Sequence, residues 1–508
     1  MKKNAHPLIR NTCILTLANL LNRVIGFFYK IFLISLIGAE GIGVYQMVFP
    51  IYVLCVSLAS SGIQTAISYY TAEKISTEGI GPAKKLFRTA LTLAVSLSVL
   101  IALLLFWLAE PAAVRILGEA RCLPLLRVMA LAIPFETIHA CTSAWFLGQN
   151  RSGFPALSQL LEQIVRVLSV FLLYQILRQE QAEITPLLAA EGLLAGEVTV
   201  ALLSLTALAL ETPSGSGRRA GVSFRRNASL ILTVALPVTG NRLMLNLLQS
   251  VEAVLIPLRL EQYYGDSAKA LSAYGVFTGM ALPLILFPCA VTGSFSMALL
   301  PSVSEAHALK NHKKIAGTIR STLMFCLFLG IVCTSAFLQF GTDMGNLLYR
   351  EAQVGEYLTA LAWICPFLYL TTTLGSILHG LGKTMHVFLH NLAGLLIRLL
   401  FIYLCVPRFG ISGCLWGMLA SQLVTALLDL IVLRRSTGFS FSPTEGILLP
   451  AFCCLSASSL LSLLRRLFPV LALENSWPAF LLSGGIWGCL VLLLAAVPGK
   501  KYYAKRLL

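Results

Sequence analysis

Residues 89–108 read TALTLAVSLSVLIALLLFWL, twenty side chains of which none is ionised. At about 1.5 Å of rise per residue the block reaches roughly 30 Å as a helix, the thickness of a bilayer's hydrocarbon core. Lipid offers the backbone no hydrogen-bond partner, so a spanning segment is a helix or a strand of a closed barrel. Twenty residues are too many for a barrel strand, and period-two alternation is missing. The block is therefore a membrane helix. Lys84, Lys85 and Arg88 crowd its start, and the same contrast of apolar block and basic loop recurs along the chain, as in the uncharged block Leu323 to Phe340.

The whole composition agrees. Of 508 residues 57% are hydrophobic and 12% charged, with a mean hydropathy of +0.82; a soluble chain carries roughly 25% charged residues. Fourteen spans are expected, at 8–37, 41–72, 83–108, 122–148, 154–177, 186–210, 227–258, 270–302, 317–341, 355–381, 384–406, 411–433, 445–468 and 476–497. The longest of these must tilt, bend or project from the bilayer. The fold class is an all-α polytopic membrane protein. The apolar stretch from Leu8 is too long for a cleavable signal peptide and lacks a small-residue cleavage site.

The net charge of +16 would suggest nucleic acid in a soluble chain. In a membrane protein, basic residues gather on cytoplasmic loops and set the orientation. With the N-terminus inside, 23 basic residues fall on inside segments. Only nine fall outside: Arg115, Arg121, Arg178, Arg259, Lys269, Arg350, Arg408, Arg465 and Arg466. A miscounted helix would invert this alternation beyond that point, so fourteen helices with both termini cytoplasmic are expected, in the cytoplasmic membrane and with no nucleic-acid partner. The thirteen cysteines form no metal or disulfide pattern: most lie in apolar blocks, Cys453 and Cys454 are adjacent, and no CxxC occurs. No metal site is expected.

The chain repeats itself. Asn22-Arg23 recurs as Asn241-Arg242, Pro50 of FPIYVLCVSLASSG corresponds to Pro283 of LPLILFPCAVTGS, and Glu73 and Arg88 recur 232 residues later as Glu305 and Arg320. Leu147-Gly148 precedes Arg166 as Leu381-Gly382 precedes Arg398. Six helices is an even number, so the copies share an orientation and are related by a pseudo-two-fold along the membrane normal, an arrangement that places a substrate path between lobes. The expected organisation is an N-terminal lobe at 1–210, a linker at 211–226 containing TPSGSGRR, a C-terminal lobe at 227–435, and two extra helices with a basic tail at 436–508.

Of the 38 basic residues, 23 are inside and nine outside, which leaves six within spans that belong to neither side: Arg23, Lys30, Arg127, Arg166, Arg242 and Arg398. A charge at the bilayer centre costs at least about 2.5–3.5 kcal/mol, so it normally faces a cavity or a partner. Arg23 matches Arg242 and Arg166 matches Arg398 across the repeat. Together with Asn22 and Asn241 they are the candidate substrate-binding residues, a cationic ring suited to a diphosphate, whose oxygens the planar guanidinium fork accommodates. The competing reading is ion pairing, with Glu162 one turn before Arg166 and Glu197, Glu252 and Asp429 available to the others. Lys30 and Arg127 sit near helix ends, where snorkelling is the simpler account. Glu252, with no base within one turn in its helix, is the candidate ion-coupling residue. The in-span prolines Pro50, Pro237, Pro283 and Pro288 are candidate bend points.

No GxSxG, HExxH, Walker loop or DxD stands in a suitable context, and external loops are short, so no enzyme and no cofactor are expected. Without a nucleotide site, active transport must draw on a proton or sodium gradient or on the membrane potential.

The segment from Asn22 to Lys74, with its IGAEGIGVYQM and PIY stretches, closely resembles the opening of the stage V sporulation protein B (SpoVB) family. That family belongs to the multidrug/oligosaccharidyl-lipid/polysaccharide exporter (MOP) superfamily, which also contains the MATE transporters. The resemblance implies flipping of undecaprenyl-diphosphate-linked cell-wall or polysaccharide precursors, with spore cortex peptidoglycan as the setting. The partners it implies are a lipid-linked oligosaccharide diphosphate, membrane lipids and cell-wall synthesis proteins. Lipid II flippases of the MurJ type carry a similar first-helix pattern, which places Arg23 and Gly26 at matching positions. Their further arginines have no counterpart here, because Ile51 to Gly62 carries no charge and the Thr278 region no arginine. The alternatives are a MATE-type multidrug or cation antiporter, which predicts unpaired acids in the cavity, and a non-transporting membrane scaffold of cell-wall synthesis.

Overall fold

Apolar blocks in lipid satisfy their backbones internally, and the computed structural model does so with helices joined by short turns. It describes residues 7–211, 224–439, 442–468 and 476–503, and no strand occurs among them. Most of the expected linker, with TPSGSGRR, and the tail residues Lys505 and Arg506 lie outside the described residues.

Thirteen stretches are long and apolar enough to cross a membrane. The first, Ile14–Thr77, has 64 residues, about three bilayer thicknesses of helix. Its helix breaks at Gly38, where φ is 71°, a left-handed conformation that costs glycine little. The break falls between the first two expected spans and divides the stretch into two, so the described residues supply fourteen spans.

The chain forms two compact units, Met1–Glu261 with Gly265–Gly275, and Gln262–Tyr264 with Val276–Leu508. The first unit contains α1 (Pro7–Val56), a π-helical turn at Ser57–Ser61, α2 (Gly62–Thr77), α3 (Ile80–Pro111), α4 (Cys122–Gly148), α5 (Gly153–Gln179), α6 (Leu187–Leu210), α7 (Phe224–Tyr264) as far as Glu261, and α8 (Ser267–Gly275). Helix α4 packs on α3 and α6, α5 packs on α6, and α1 packs on α5 and α8.

Lipid is as apolar as leucine, so membrane helices associate where small residues let backbones approach. A Cβ at Gly43 of α1 would strike the Leu271 carbonyl of α8, and one at Gly275 would strike the Ala39 carbonyl. On α6, a Cβ at Gly196 would lie 3.2 Å from the Glu162 carbonyl, and one at Gly192 would overlap Val170. The missing side chains let α5 approach α6 beside Glu197. Gly62 of α2 lies against the Ala235 carbonyl and Thr239 of α7, and Ser250 Oγ of α7 donates to the Pro50 carbonyl at 3.0 Å.

Polar stitches close the turns. Glu211, just past α6, accepts from Trp145 Nε1 at 3.0 Å and Arg151 Nη1 at 3.2 Å, while its carbonyl accepts from Lys84 Nζ at 3.2 Å. Between α3 and α4, Arg121 pairs with Glu119 at 2.9 Å and with Glu40 at 2.7 Å. The hydrogen bond from Arg121 holds the Glu119 carboxyl below its usual range, and the Glu119 bond in turn raises the guanidinium.

The second unit contains α9 (Leu282–Leu286), α10 (Cys289–Ala308), α11 (His312–Tyr349), α12 (Ala352–Leu361), α13 (Cys365–Gly380), α14 (Thr384–Leu404), α15 (Val406–Phe409), α16 (Ile411–Thr437), α17 (Leu449–Leu467) and α18 (Trp477–Tyr503). The turn between α9 and α10 falls at Phe287 and Pro288, a bend point expected from the sequence. Pro50 and Pro237 remain inside helices. Helices α17 and α18 attach to α11 through Phe340, Cys454, Ala457, Leu461 and Trp487, and Arg320 of α11 pairs with Glu445 at 2.8 Å.

Candidate functional site

Three apolar helices of the first unit turn ionisable side chains toward one another. Arg166 of α5 donates to Glu162, one turn before it, and to Glu197 Oε1 of α6 at 3.4 Å. Spacing four residues apart on a helix dictates the first contact; the second exists because Gly196 lets α5 close on α6. From α4, Glu136 and His139 stand one turn apart with Oε2 and Nδ1 3.9 Å apart. His139 Nε2 meets Ser158 Oγ of α5 at 2.9 Å, and that hydroxyl donates onward to the Pro155 carbonyl at 3.2 Å. One polar atom each of Glu136, His139 and Glu197 lies within 4.8 Å of the others.

Glu197 is 3% exposed and His139 5%, whereas the Glu136 side chain retains 27%. Glu197 Oε2 is buried without a hydrogen-bond partner among the described residues, as is Tyr52 Oη of α1. Tyr52 lies within electrostatic reach of Glu136, Glu162, Arg166 and Glu197. Three carboxylates against one guanidinium leave the cluster negative by two charges when His139 is neutral, so it stabilises added positive charge.

The second unit carries a smaller counterpart. His390 Nδ1 of α14 lies 2.7 Å from Asp429 Oδ1 of α16, both buried. Asp429 follows Glu197 by 232 residues, the displacement that relates Arg398 to Arg166.

Of the residues singled out from sequence, Arg166 is held in ion pairs, as its spacing from Glu162 allowed. Arg23 and Arg242 are exposed, and no described carboxylate lies within ion-pair distance of either. Asn241 is also exposed, while Asn22 buries its side-chain oxygen without a partner. Arg398 and Glu252 are half-buried. Glu136, His139 and Tyr52 were not expected from the sequence. The available signal was Glu136-x-x-His139, an acid and an imidazole one turn apart in an apolar helix.

The family model described as polysaccharide biosynthesis protein matches residues 8–307, and one described as MatE matches 243–404. Stage V sporulation protein B of Bacillus subtilis (strain 168) is 24% identical over 86% of this chain and 85% of its own length. Lipid II flippase MurJ of the same organism is 22% identical over 85% and 84%. Among solved structures, lipid II flippase MurJ in an inward closed conformation superposes with a TM-score of 0.74 at 14% identity, covering 97% of this chain and 100% of that one. An inward-facing MATE multidrug transporter of the MOP superfamily gives 0.63 at 14% identity over 82% and 94%. With the family model spanning more than half of the sequence and fourteen spans in the fold, the chain is a multi-pass membrane protein that belongs to the polysaccharide biosynthesis protein family.

Proposed function

We propose that the protein flips an undecaprenyl-diphosphate-linked saccharide precursor across the cytoplasmic membrane, catalyses no covalent step and serves spore cortex synthesis. Both termini are cytoplasmic in this reading. Two six-helix lobes, 1–210 and 227–435, alternate access, and Arg23 and Arg242 receive the diphosphate while the polyprenyl tail stays in lipid. The observation that carries it is the pair of repeat-related arginines, exposed and unpaired among the described residues, in a chain whose family relatives include a protein named as a lipid II flippase. An unpaired guanidinium in a membrane span retains its full capacity for a bidentate phosphate contact. An inside-negative potential of about 100 mV favours outward movement of each negative charge by about 2.3 kcal/mol. Two charges give roughly 4.6 kcal/mol, enough to set direction without ATP.

Purified protein in liposomes, supplied with a fluorescent undecaprenyl-diphosphate sugar, provides the test. Translocation is expected, with a loss of more than about tenfold in the Arg23→Ala/Arg242→Ala double variant, since a charged hydrogen bond contributes about 1.5–3 kcal/mol. Full activity in that variant removes the role given to the arginines. The MatE match and the acidic cluster favour a second reading, a cation antiporter; export of organic cations, with lipid-linked sugars ignored, would select it.

A further inference from the structure

We propose that the Glu136–His139–Glu197 cluster is a proton-binding site inside the first unit, which holds one proton at neutral pH and exchanges it during transport. Its role in transport rests on the reading above; the bound proton does not.

The hydrogen-bond directions lead there. Ser158 Oγ stands 3.2 Å from the Pro155 carbonyl and 2.9 Å from His139 Nε2; with its one proton on that carbonyl, it accepts from His139 Nε2–H. The imidazole's Nδ1 is then left facing the Glu136 carboxylate at 3.9 Å. A lone pair opposed to a carboxylate is repulsive, and a proton between them turns repulsion into attraction. Glu197 adds an oxygen, Oε2, that is buried and unpartnered, on a side chain 97% removed from solvent. An ionised carboxylate left so is costly, whereas a protonated one has a donor for Glu136 or for His139 Nδ1.

The surrounding charges give the same count. Helix α5 contributes Glu162 and Arg166, α4 contributes Glu136 and His139, and α1 contributes Tyr52, with Tyr29 and Tyr45 nearer Arg166. One guanidinium offsets one of three carboxylates. The excess of two negative charges inside a membrane helix bundle is what proton uptake relieves. Sodium fits poorly, because an imidazole nitrogen is a weak ligand for it and Arg166 already occupies the other oxygen of Glu197. Glu136, with 27% of its side chain exposed, is the entrance through which the proton arrives from water and to which it returns.

Infrared spectroscopy of the full-length protein in lipid nanodiscs tests the site. At neutral pH a protonated carboxyl band sensitive to deuterium exchange is expected, lost in Glu197→Gln and moved to a different pH midpoint in His139→Gln. Glu136→Gln serves as the second variant should Glu197→Gln misfold. Absence of any such band overturns the proposal. So does one equivalent of bound zinc or manganese in the wild type that Glu136→Gln abolishes. In liposomes at zero potential, a pH difference should change the initial translocation rate by up to about tenfold per unit for one proton per cycle, and leave Glu197→Gln unresponsive. A wild type indifferent to the pH difference overturns the coupling role even if the band is present. If no lipid-linked sugar moves at all, the transport reading fails and takes coupling with it, while the infrared result still decides the proton.

Discussion

At the scale of single residues, the sequence separates two kinds of arginine only in part. Arg166 and Glu162 stand four apart, so their pairing could be read directly from spacing. The reach of Arg166 to Glu197 could not, because it depends on how closely α5 and α6 approach at Gly196. Removing the guanidinium would leave a buried, unmatched carboxylate. Arg166→Met is therefore expected to lower stability by about 3–5 kcal/mol, and Arg166→Met/Glu162→Gln to recover much of it, because Glu162 is the carboxylate one turn from the guanidinium; thermal unfolding in detergent measures both. Glu136 and His139 escaped the sequence reading because each acquires significance from partners on other helices. At the loop between α3 and α4, the Glu119 carboxyl is held below its usual range by Arg121. A depressed carboxyl stabilises the fold above its unfolded value, and that contribution disappears as pH falls through the folded one. Arg121→Ala should thus lower stability slightly at neutral pH, by no more than about 1 kcal/mol, since the Arg121 side chain is exposed to solvent screening. The difference should shrink as pH falls below the usual glutamate range and be gone once the folded-state carboxyl is protonated; a difference that persists in acid would assign the effect to packing instead.

At the scale of helices, hydropathy and length were sufficient for existence and approximate extent. The expected gap between 37 and 41 coincides with the break at Gly38. The π-helical turns at Ser57–Ser61 and Val276–Ala281 left no mark in the sequence, because a widened turn is a response to packing rather than to local propensity. Glycines decide the helix contacts. Gly43→Val places a side chain into the Leu271 carbonyl where only hydrogen fits, and a loss of about 3 kcal/mol or more is expected from such overpacking. Gly153→Ala, with open space around it, should leave stability nearly unchanged. Comparable melting of the two variants would show that α1 and α8 do not meet as closely as described.

At the scale of the whole molecule, the repeat in the sequence and the compact units of the structure divide the chain at different places, near 211–226 and near 262–275. The physical reason lies in α7, which packs on α2 through Gly62 and on α1 through Ser250 and so groups with the first unit. If the lobes alternate as proposed, those contacts must open in part of the cycle. Gly62→Ala, which prevents the close approach of α2 and α7, should change the rate of translocation while the affinity for the diphosphate is retained. Affinity for the diphosphate is what Arg23 and Arg242 are proposed to supply, and it can be read from binding alone. Native mass spectrometry of the purified protein with undecaprenyl diphosphate, undecaprenyl monophosphate and undecaprenol compares ligands that differ only in phosphate. The wild type is predicted to prefer them in that order, and the Arg23→Ala/Arg242→Ala variant to lose the preference for the diphosphate; an unchanged preference in the variant would contradict the assignment of these arginines.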